Sequence, residues 1–188
     1  MPKTPQQNHL DPRQPLVVDT TKLPRQPGAT RALKRAVPAP QELGLELIKV
    51  PEGSELELDL VLTSVSEGVY VSGHVRGSLT GECGRCLNEI SESFDVSIAE
   101  LFAYADSTTE ETTDEDEVGR MQGDLLDLEP VVRDAVVLTL PANPLCRPDC
   151  PGLCPECGVH FDDLPADHSH EDVDPRWAAL RNLTNNEE

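Results

Sequence analysis

Six cysteines are the residues of this 188-residue chain whose types and spacing could do chemistry. Two of them close the turn Cys83–Gly84–Arg85–Cys86, and four more follow in a short stretch at Cys146, Cys150, Cys154 and Cys157. The knuckle at residues 154–158 (CPECG) turns the backbone so that two sulfur atoms can face one point. Thiolates placed in this way bind a tetrahedral zinc ion. The sequence therefore predicts a structural Zn²⁺ site.

Three ligand sets are compatible with the sequence. In the first, Cys146, Cys150, Cys154 and Cys157 hold one zinc ion, although their spacing is tighter than that of two knuckles separated by a long loop. In the second, the pair Cys83 and Cys86 joins the pair Cys154 and Cys157. In the third, Cys154 and Cys157 join downstream histidines, for which His160, His168 and His170 are available. Imidazole ligates zinc as thiolate does, so the choice stays open here.

Catalytic motifs are missing from the sequence. Its serines lie in no nucleophile-elbow context, and no glycine-rich phosphate loop is present. A zinc ion with four protein ligands is closed and activates no water. We therefore expect a protein that is not an enzyme, in which the metal orders a segment with little apolar core of its own.

Charge is distributed unevenly along the chain. Residues 1–40 hold seven Lys or Arg and two acids, a net +5, so the rest of the chain, with eight basic and thirty-three acidic residues, carries −25. A body this acidic repels nucleic-acid phosphates and attracts basic proteins. The basic side chains available to touch RNA or a partner are Lys22, Arg25, Arg31, Lys34 and Arg35.

Strands dominate the elements that must position the cysteines. Residues 55–62 alternate acid and leucine except at Val61, and residues 69–76 alternate valine or glycine with polar side chains. These patterns predict a β-hairpin with a turn at 66–68. Residues 94–98 alternate again as a third strand, so the Cys83–Cys86 turn should connect strands two and three. Leu16 to Asp19 is compatible with a short strand, and residues 31–36 with either a helical turn or a strand.

One helix is predicted near residues 128–139. Asp127 is a candidate N-cap and Pro130 suits the first turn, while Pro141 and Pro144 end the helix and lead to Cys146. Its expected apolar stripe consists of Leu128, Val131, Val132, Ala135, Val136 and Leu138. The fold class is therefore α+β: a small, mostly antiparallel sheet over about residues 44–105, one or two helices and a Cys-rich, zinc-clipped C-terminal segment.

The predicted organisation has four parts. Residues 1–15 form a disordered tail, 16–145 the α+β domain, 146–182 the metal-binding segment and 183–188 a final tail. Residues 106–117, which contain seven acids and no Lys or Arg, form a flexible loop within the domain. Residues 175–183 are compatible with a second short helix that docks Trp177 and Leu180. A secretory signal and a membrane-spanning run are missing from the sequence, so we expect a cytoplasmic protein.

Five sequence blocks resemble the YceD family. They are residues 81–87 (GECGRCL), 127–134 (DLEPVVRD), 138–141 (LTLP), 150–158 (CPGLCPECG) and 174–180 (DPRWAAL), in one consistent order within residues 16–182. Many members with this knuckle carry a Cys-x-Cys pair shortly before the final Asp-Pro-Arg, where this chain has His168-Ser169-His170. The resemblance thus implies that imidazoles replace thiolates there, whereas other members lack the C-terminal cysteines altogether.

The resemblance implies a role in ribosome biogenesis. Members are described as large-subunit ribosomal RNA accumulation proteins, and their genes often neighbour that of a small zinc-ribbon protein of the large subunit. We therefore expect a non-enzymatic factor that binds a basic ribosomal protein or a ribosomal RNA precursor, with neither a small-molecule substrate nor a membrane. A zinc-dependent nucleic-acid-binding module is the alternative, although acids rather than Lys and aromatic residues surround the knuckle.

Overall fold

A computed structural model describes residues 9–107 and 119–170. The chain divides into two compact units, residues 1–146 and 147–188. The strands of the described residues are β1 (Val17–Asp19), β2 (Thr30–Pro38), β3 (Ile48–Lys49), β4 (Glu55–Val65), β5 (Gly68–Glu82), β6 (Glu89–Ala103), β7 (Gly119–Arg120) and β8 (Leu125–Asp127). The α-helix of this part of the chain is α1 (Glu129–Thr139).

The first unit is built on a mostly antiparallel sheet with the order β2-β4-β5-β6-β7, and β3 pairs with β5. All these pairs are antiparallel except β6 with β7. A second, two-stranded sheet pairs β1 with β8. The predicted α+β class is thus confirmed, as a mostly antiparallel sheet with one helix in the described residues.

Alternation of side chains decides which face of the sheet is buried. In β4, Leu56, Leu58, Leu60 and Leu62 are all at most 2% exposed. Leu58 lies opposite Val75 of β5, which in turn lies opposite Val96 of β6, so one apolar face crosses three strands. The predicted hairpin and third strand are confirmed, and β5 and β6 extend beyond their predicted ends to the cysteine turn.

Helix α1 packs against β6 with Val132 and Val136, which are fully buried and one helical turn apart. Two details differ from the sequence prediction. The N-cap is Leu128 rather than Asp127, although the Asp127 carboxylate still accepts a hydrogen bond from the Glu129 N–H (2.9 Å). Leu138 is 85% exposed, because a position two residues beyond Val136 lies on the opposite side of a helix.

The basic segment is extended, since residues 31–36 belong to strand β2. Arg31 and Arg35 lie opposite Leu62 and Leu58 in the register, so their side chains share the inner face of the sheet. There Arg31 donates to the backbone oxygen of Asp19 (3.1 Å), and Arg35 donates to the backbone oxygens of Pro15 and Val17. These guanidinium groups therefore bind the chain segment that contains β1.

The second unit is described from Arg147 to His170. A bridge between Leu153 and His160 brackets the cysteine knuckle, and a single 3₁₀ turn follows at Phe161–Asp163. Gly158 has φ +70°, a left-handed conformation that glycine adopts without strain, and its N–H donates to the Cys154 oxygen (2.8 Å). The knuckle geometry thus follows from its own sequence.

Several sequence predictions lie wholly or partly outside the described residues. These are the first eight residues of the N-terminal tail, most of the acidic loop (108–118), and the segment from 171 onward that contains Trp177 and Leu180. Residues 9–15 are described: Gln14 donates its N–H to the Asp11 oxygen (3.0 Å), and the Leu10 N–H donates to Gln122 (2.8 Å).

Candidate metal centres

The connection between β5 and β6 presents Cys83 and Cys86. The Cys83 N–H donates to the Asn88 oxygen (2.8 Å) and the Leu87 N–H donates to the Cys83 oxygen (2.9 Å), which closes the turn. Leu87 takes up a left-handed conformation with φ +61°, which is uncommon for a residue with a side chain. Both cysteines are buried.

The segment after α1 brings Cys146 to the same place. The Gly84 N–H donates to the Pro144 oxygen (2.8 Å), so the turn and this segment are joined two residues before Cys146. A Cβ atom at Gly84 would collide with the Asn143 side-chain oxygen, so a larger residue here would force that side chain to move. As a result the Sγ atoms of Cys86 and Cys146 lie 3.6 Å apart.

Four cysteines form the first candidate centre, which we call the four-cysteine group: Cys83, Cys86, Cys146 and Cys150. Their Sγ atoms all lie within 4.8 Å of one another. Zinc–sulfur bonds of about 2.3 Å in a tetrahedron separate the sulfurs by about 3.8 Å, which is close to the 3.6 Å between Cys86 and Cys146. A disulfide would need an S–S distance of about 2.05 Å, and none of the six cysteines, all of which lie among the described residues, forms one.

Backbone donors favour the thiolate form in this group. Burial raises the pKa of the Cys83 thiol, but hydrogen bonds from the backbone of Cys146, Arg85 and Cys86 outweigh burial and lower that pKa to about 6. A thiol must lose its proton to bind a metal. The turn therefore favours the thiolate form of Cys83 at neutral pH, the form that can bind a metal.

The second candidate centre lies wholly within the second unit and consists of Cys154, Cys157, His168 and His170, which we call the Cys2His2 group. The Cys154 Sγ lies 3.3 Å from His170 Nε2, and the Cys157 Sγ lies 3.7 Å from His168 Nε2. Tetrahedral zinc with usual bond lengths separates sulfur and nitrogen ligands by about 3.6 Å. The donor set and its spacing thus fit zinc.

The knuckle also favours a thiolate. A backbone hydrogen bond from Cys157 is the largest influence on the pKa of Cys154, and it acts with His168 and Glu156 against burial to lower that pKa to about 6. The two imidazoles pack edge to face with their ring centroids 4.5 Å apart. This arrangement points Nε2 of each ring toward a sulfur.

The structure divides the predicted ligands between two groups. It does not gather Cys146, Cys150, Cys154 and Cys157 as one set, and among the described residues it does not pair the Cys83–Cys86 turn with the knuckle. The knuckle instead meets His168 and His170, as in the third set, while His160 belongs to neither group. Which side chains bind an ion stays a prediction.

The pairing of the turn with Cys146 and Cys150 was missed by sequence reasoning. The sequence contains three cysteine pairs and one histidine pair, and this count is the signal that could have revealed the grouping. If the histidine pair joins the nearest cysteine pair, Cys154 and Cys157, the two remaining cysteine pairs are left to form the other group. Sixty residues separate Cys86 from Cys146 along the chain, so only the tertiary fold shows that they meet.

Four of the five predicted RNA-contacting side chains have partners inside the protein. Besides Arg31 and Arg35, Lys34 pairs with Asp59 (3.1 Å), and Arg25 pairs with Asp124 (3.1 Å) while lying over the Tyr104 ring. Lys22 is exposed and acts on the pKa of Asp19 through its charge. Two of the five cations are therefore paired with carboxylates of the same chain, and two more donate hydrogen bonds to its backbone.

Comparison with known proteins shows which family the chain belongs to. The family model described as "Large ribosomal RNA subunit accumulation protein YceD" matches residues 71–184, more than half of the chain. The chain belongs to the YceD family. Both candidate centres of this YceD chain lie within the matched residues.

Relatives of this YceD chain occur in several bacteria. It is 52% identical to the uncharacterized protein Rv2926c of Mycobacterium tuberculosis over 88% of this chain and 80% of that protein. It is 44% identical to the uncharacterized protein ML1660 of Mycobacterium leprae, over 90% and 77% of the two chains. The uncharacterized protein YlbN of Bacillus subtilis is 26% identical over 58% and 62%. No solved structure matches the chain. In the described residues, no helix has the length and apolar character to cross a membrane.

Proposed function

We propose that this YceD chain is a non-enzymatic ribosome-biogenesis factor that supports the accumulation of large-subunit ribosomal RNA by binding a basic ribosomal protein or an assembly intermediate. The observation that carries this proposal is membership of a family named for that accumulation. The binding partner is inferred from charge.

Charge favours a protein partner over naked RNA. Residues 41–188 carry a net −25, which attracts basic ribosomal proteins and repels phosphates. The basic side chains that could have offset this repulsion are largely engaged with acids and backbone oxygens of the same chain. A factor of this kind would shield a basic protein before it meets RNA.

Structural zinc is the metal that suits both candidate centres. Four thiolates, or two thiolates and two imidazoles, are the donor sets of closed zinc sites. Bound zinc would supply conformational stability rather than chemistry, since four protein donors leave no position for a substrate. This closure is the physical reason for proposing a role without catalysis.

Depletion of the protein in its own host tests the cellular role. We expect the ratio of large-subunit to small-subunit ribosomal RNA to fall on depletion and to recover when the wild-type chain is supplied. An unchanged ratio at full depletion would exclude the role. Pull-down with the tagged full-length chain tests the mode of binding: we expect basic ribosomal proteins that dissociate as salt rises.

The controls of the pull-down separate the two modes. Nuclease treatment before capture should leave the proteins bound, since the proposed contact is between proteins. Capture of RNA that survives removal of all ribosomal proteins would contradict the proposal and favour direct nucleic-acid binding.

A further inference from the structure

A groove lies between helix α1 and strand β6, inside the first unit. Its volume is about 550 Å³. Strand β6 contributes Ala99, Glu100 and Phe102 to its lining, and α1 contributes Val131 and Ala135. A second cleft of about 550 Å³ shares Leu10, Asp127, Pro130 and Asp134 with the first, so the two are continuous.

The floor of this groove is apolar and its rim is acidic. Phe102 is 2% exposed, and Val131 and Ala135 are half-buried. The described lining of the groove also includes three acidic residues, Glu100, Asp127 and Asp134, and one basic residue, Arg120.

Two of these carboxylates have no partner in the part of the chain that the structure describes. Asp127 accepts the Glu129 N–H, whereas no hydrogen bond or ion pair from the described residues reaches the side chain of Glu100 or Asp134. Arg133, which lines the second cleft, cannot neutralise them because it is already bound to Glu129 (2.9 Å) and to the oxygens of Gln41 and Glu42 (3.0 and 2.6 Å). The groove thus keeps uncompensated negative charge above an apolar floor.

We propose that this groove binds an extended, Lys- or Arg-rich segment of the basic protein partner, an inference that rests on the proposed function. Lysine and arginine combine an aliphatic stem with a cationic head. The stem would pack on Phe102, Val131 and Ala135 while the head pairs with Glu100 or Asp134.

Other occupants fit less well. A nucleic-acid backbone would bring phosphates next to three carboxylates. A second copy of this chain would bring another net charge of −20 to the same surface. A basic, extended polypeptide is the occupant that satisfies both the charge and the apolar floor.

Binding of a short probe to the full-length chain tests the groove. A fluorescein-labelled peptide of alternating lysine and alanine, about twelve residues long, would be titrated with protein and followed by anisotropy. We expect the double variant Glu100→Gln/Asp134→Asn to bind about tenfold more weakly than wild type, since two ion pairs over an apolar surface are lost.

A matched variant separates the groove from general charge. Glu92→Gln/Asp106→Asn removes the same two charges from exposed positions outside the groove and should change binding less than twofold. Equal losses in the two variants, with thermal unfolding unchanged in both, would overturn the groove as the binding site. The same variants would then be used in the pull-down described above.

The outcomes distinguish the two proposals. If the wild-type chain captures basic ribosomal proteins and the groove variant captures them equally well, the groove inference fails and the proposed function stands. If the wild-type chain captures none, the proposed binding mode fails, and the groove inference fails with it.

Discussion

At the scale of single residues, an ion-pair cluster stands out on the exposed face of the sheet. Asp95 of β6 accepts a hydrogen bond from Arg76 Nε (2.7 Å) and lies 2.7 Å from His74 Nδ1. Arg76 and Asp95 are direct cross-strand partners in the register, so alternation places them together. The hydrogen bond from Arg76, and then that from His74, lowers the pKa of the Asp95 carboxyl.

Titration of Asp95 by carbon NMR checks this effect. We expect its pKa in the folded protein to lie below that of an ordinary aspartate and to rise toward the ordinary value in Arg76→Gln. Because the folded-state pKa is the lower one, the pair stabilises the fold above the unfolded pKa and loses its effect as pH falls through the folded pKa.

Asp19 provides the control for that titration. Its pKa is lowered mainly by hydrogen bonds from Thr21, so Arg76→Gln should leave it unchanged. A pKa of Asp95 that stays the same in the variant would mean that Arg76 is not the cause.

At the scale of elements, β4 shows how a two-residue period builds the core. Leu60 is fully buried, whereas its neighbour Val61 is 42% exposed on the other face. Leu60→Ala leaves a cavity between strands and should reduce the free energy of unfolding by about 2–5 kcal/mol. Val61→Ala should change it by no more than about 0.5 kcal/mol. Denaturant unfolding of both variants gives the comparison, and similar losses would contradict the assigned faces.

Sequence patterns predicted the strands and the helix well, but they did not predict which distant residues come into contact. The alternation of apolar and polar residues identified β4 and β5 because one face of each strand is buried and the other is exposed to solvent. The same pattern in β2 was not recognised, since Arg31 and Arg35 occupy inner-face positions beside Leu33 and Val37. Their guanidinium groups are tolerated there because they bind backbone oxygens near β1, and that contact cannot be seen from local sequence.

Helix α1 illustrates the same limit. Apolar residues predicted its existence and length, but two of them, Val136 and Leu138, cannot share one helical face. Which of the two is buried depends on where β6 lies. The grouping of the cysteines is likewise a property of the tertiary fold, because Cys83 and Cys86 reach Cys146 through the pairing of β5 with β6 and the path after α1.

At the scale of the whole molecule, each candidate centre ties together segments with little apolar contact of their own. In the described part of the second unit, the buried hydrophobic residues are Cys150 and Cys154, whereas Val159 and Phe161 are exposed. A metal ion contributes folding free energy where apolar burial is small. We therefore expect metal binding by the Cys2His2 group to matter more for the second unit than metal binding by the four-cysteine group matters for the sheet of the first unit.

Metal analysis of the full-length chain purified without chelator tests the division into two centres. We expect about two zinc ions per chain, because each group supplies the four donors of one closed site. Cys83→Ser/Cys86→Ser and His168→Ala/His170→Ala should each remove one ion, and their combination should remove both. His160→Ala, a histidine in neither group, should keep the full count. If Cys146, Cys150, Cys154 and Cys157 instead held a single ion, the wild-type chain would contain one zinc, and neither of the first two variants would lose it.

Circular dichroism should show which part of the fold depends on each ion. Loss of the Cys2His2 ion should leave the β-sheet signal intact, since the sheet is held together by its own strand pairing and leucine-rich face.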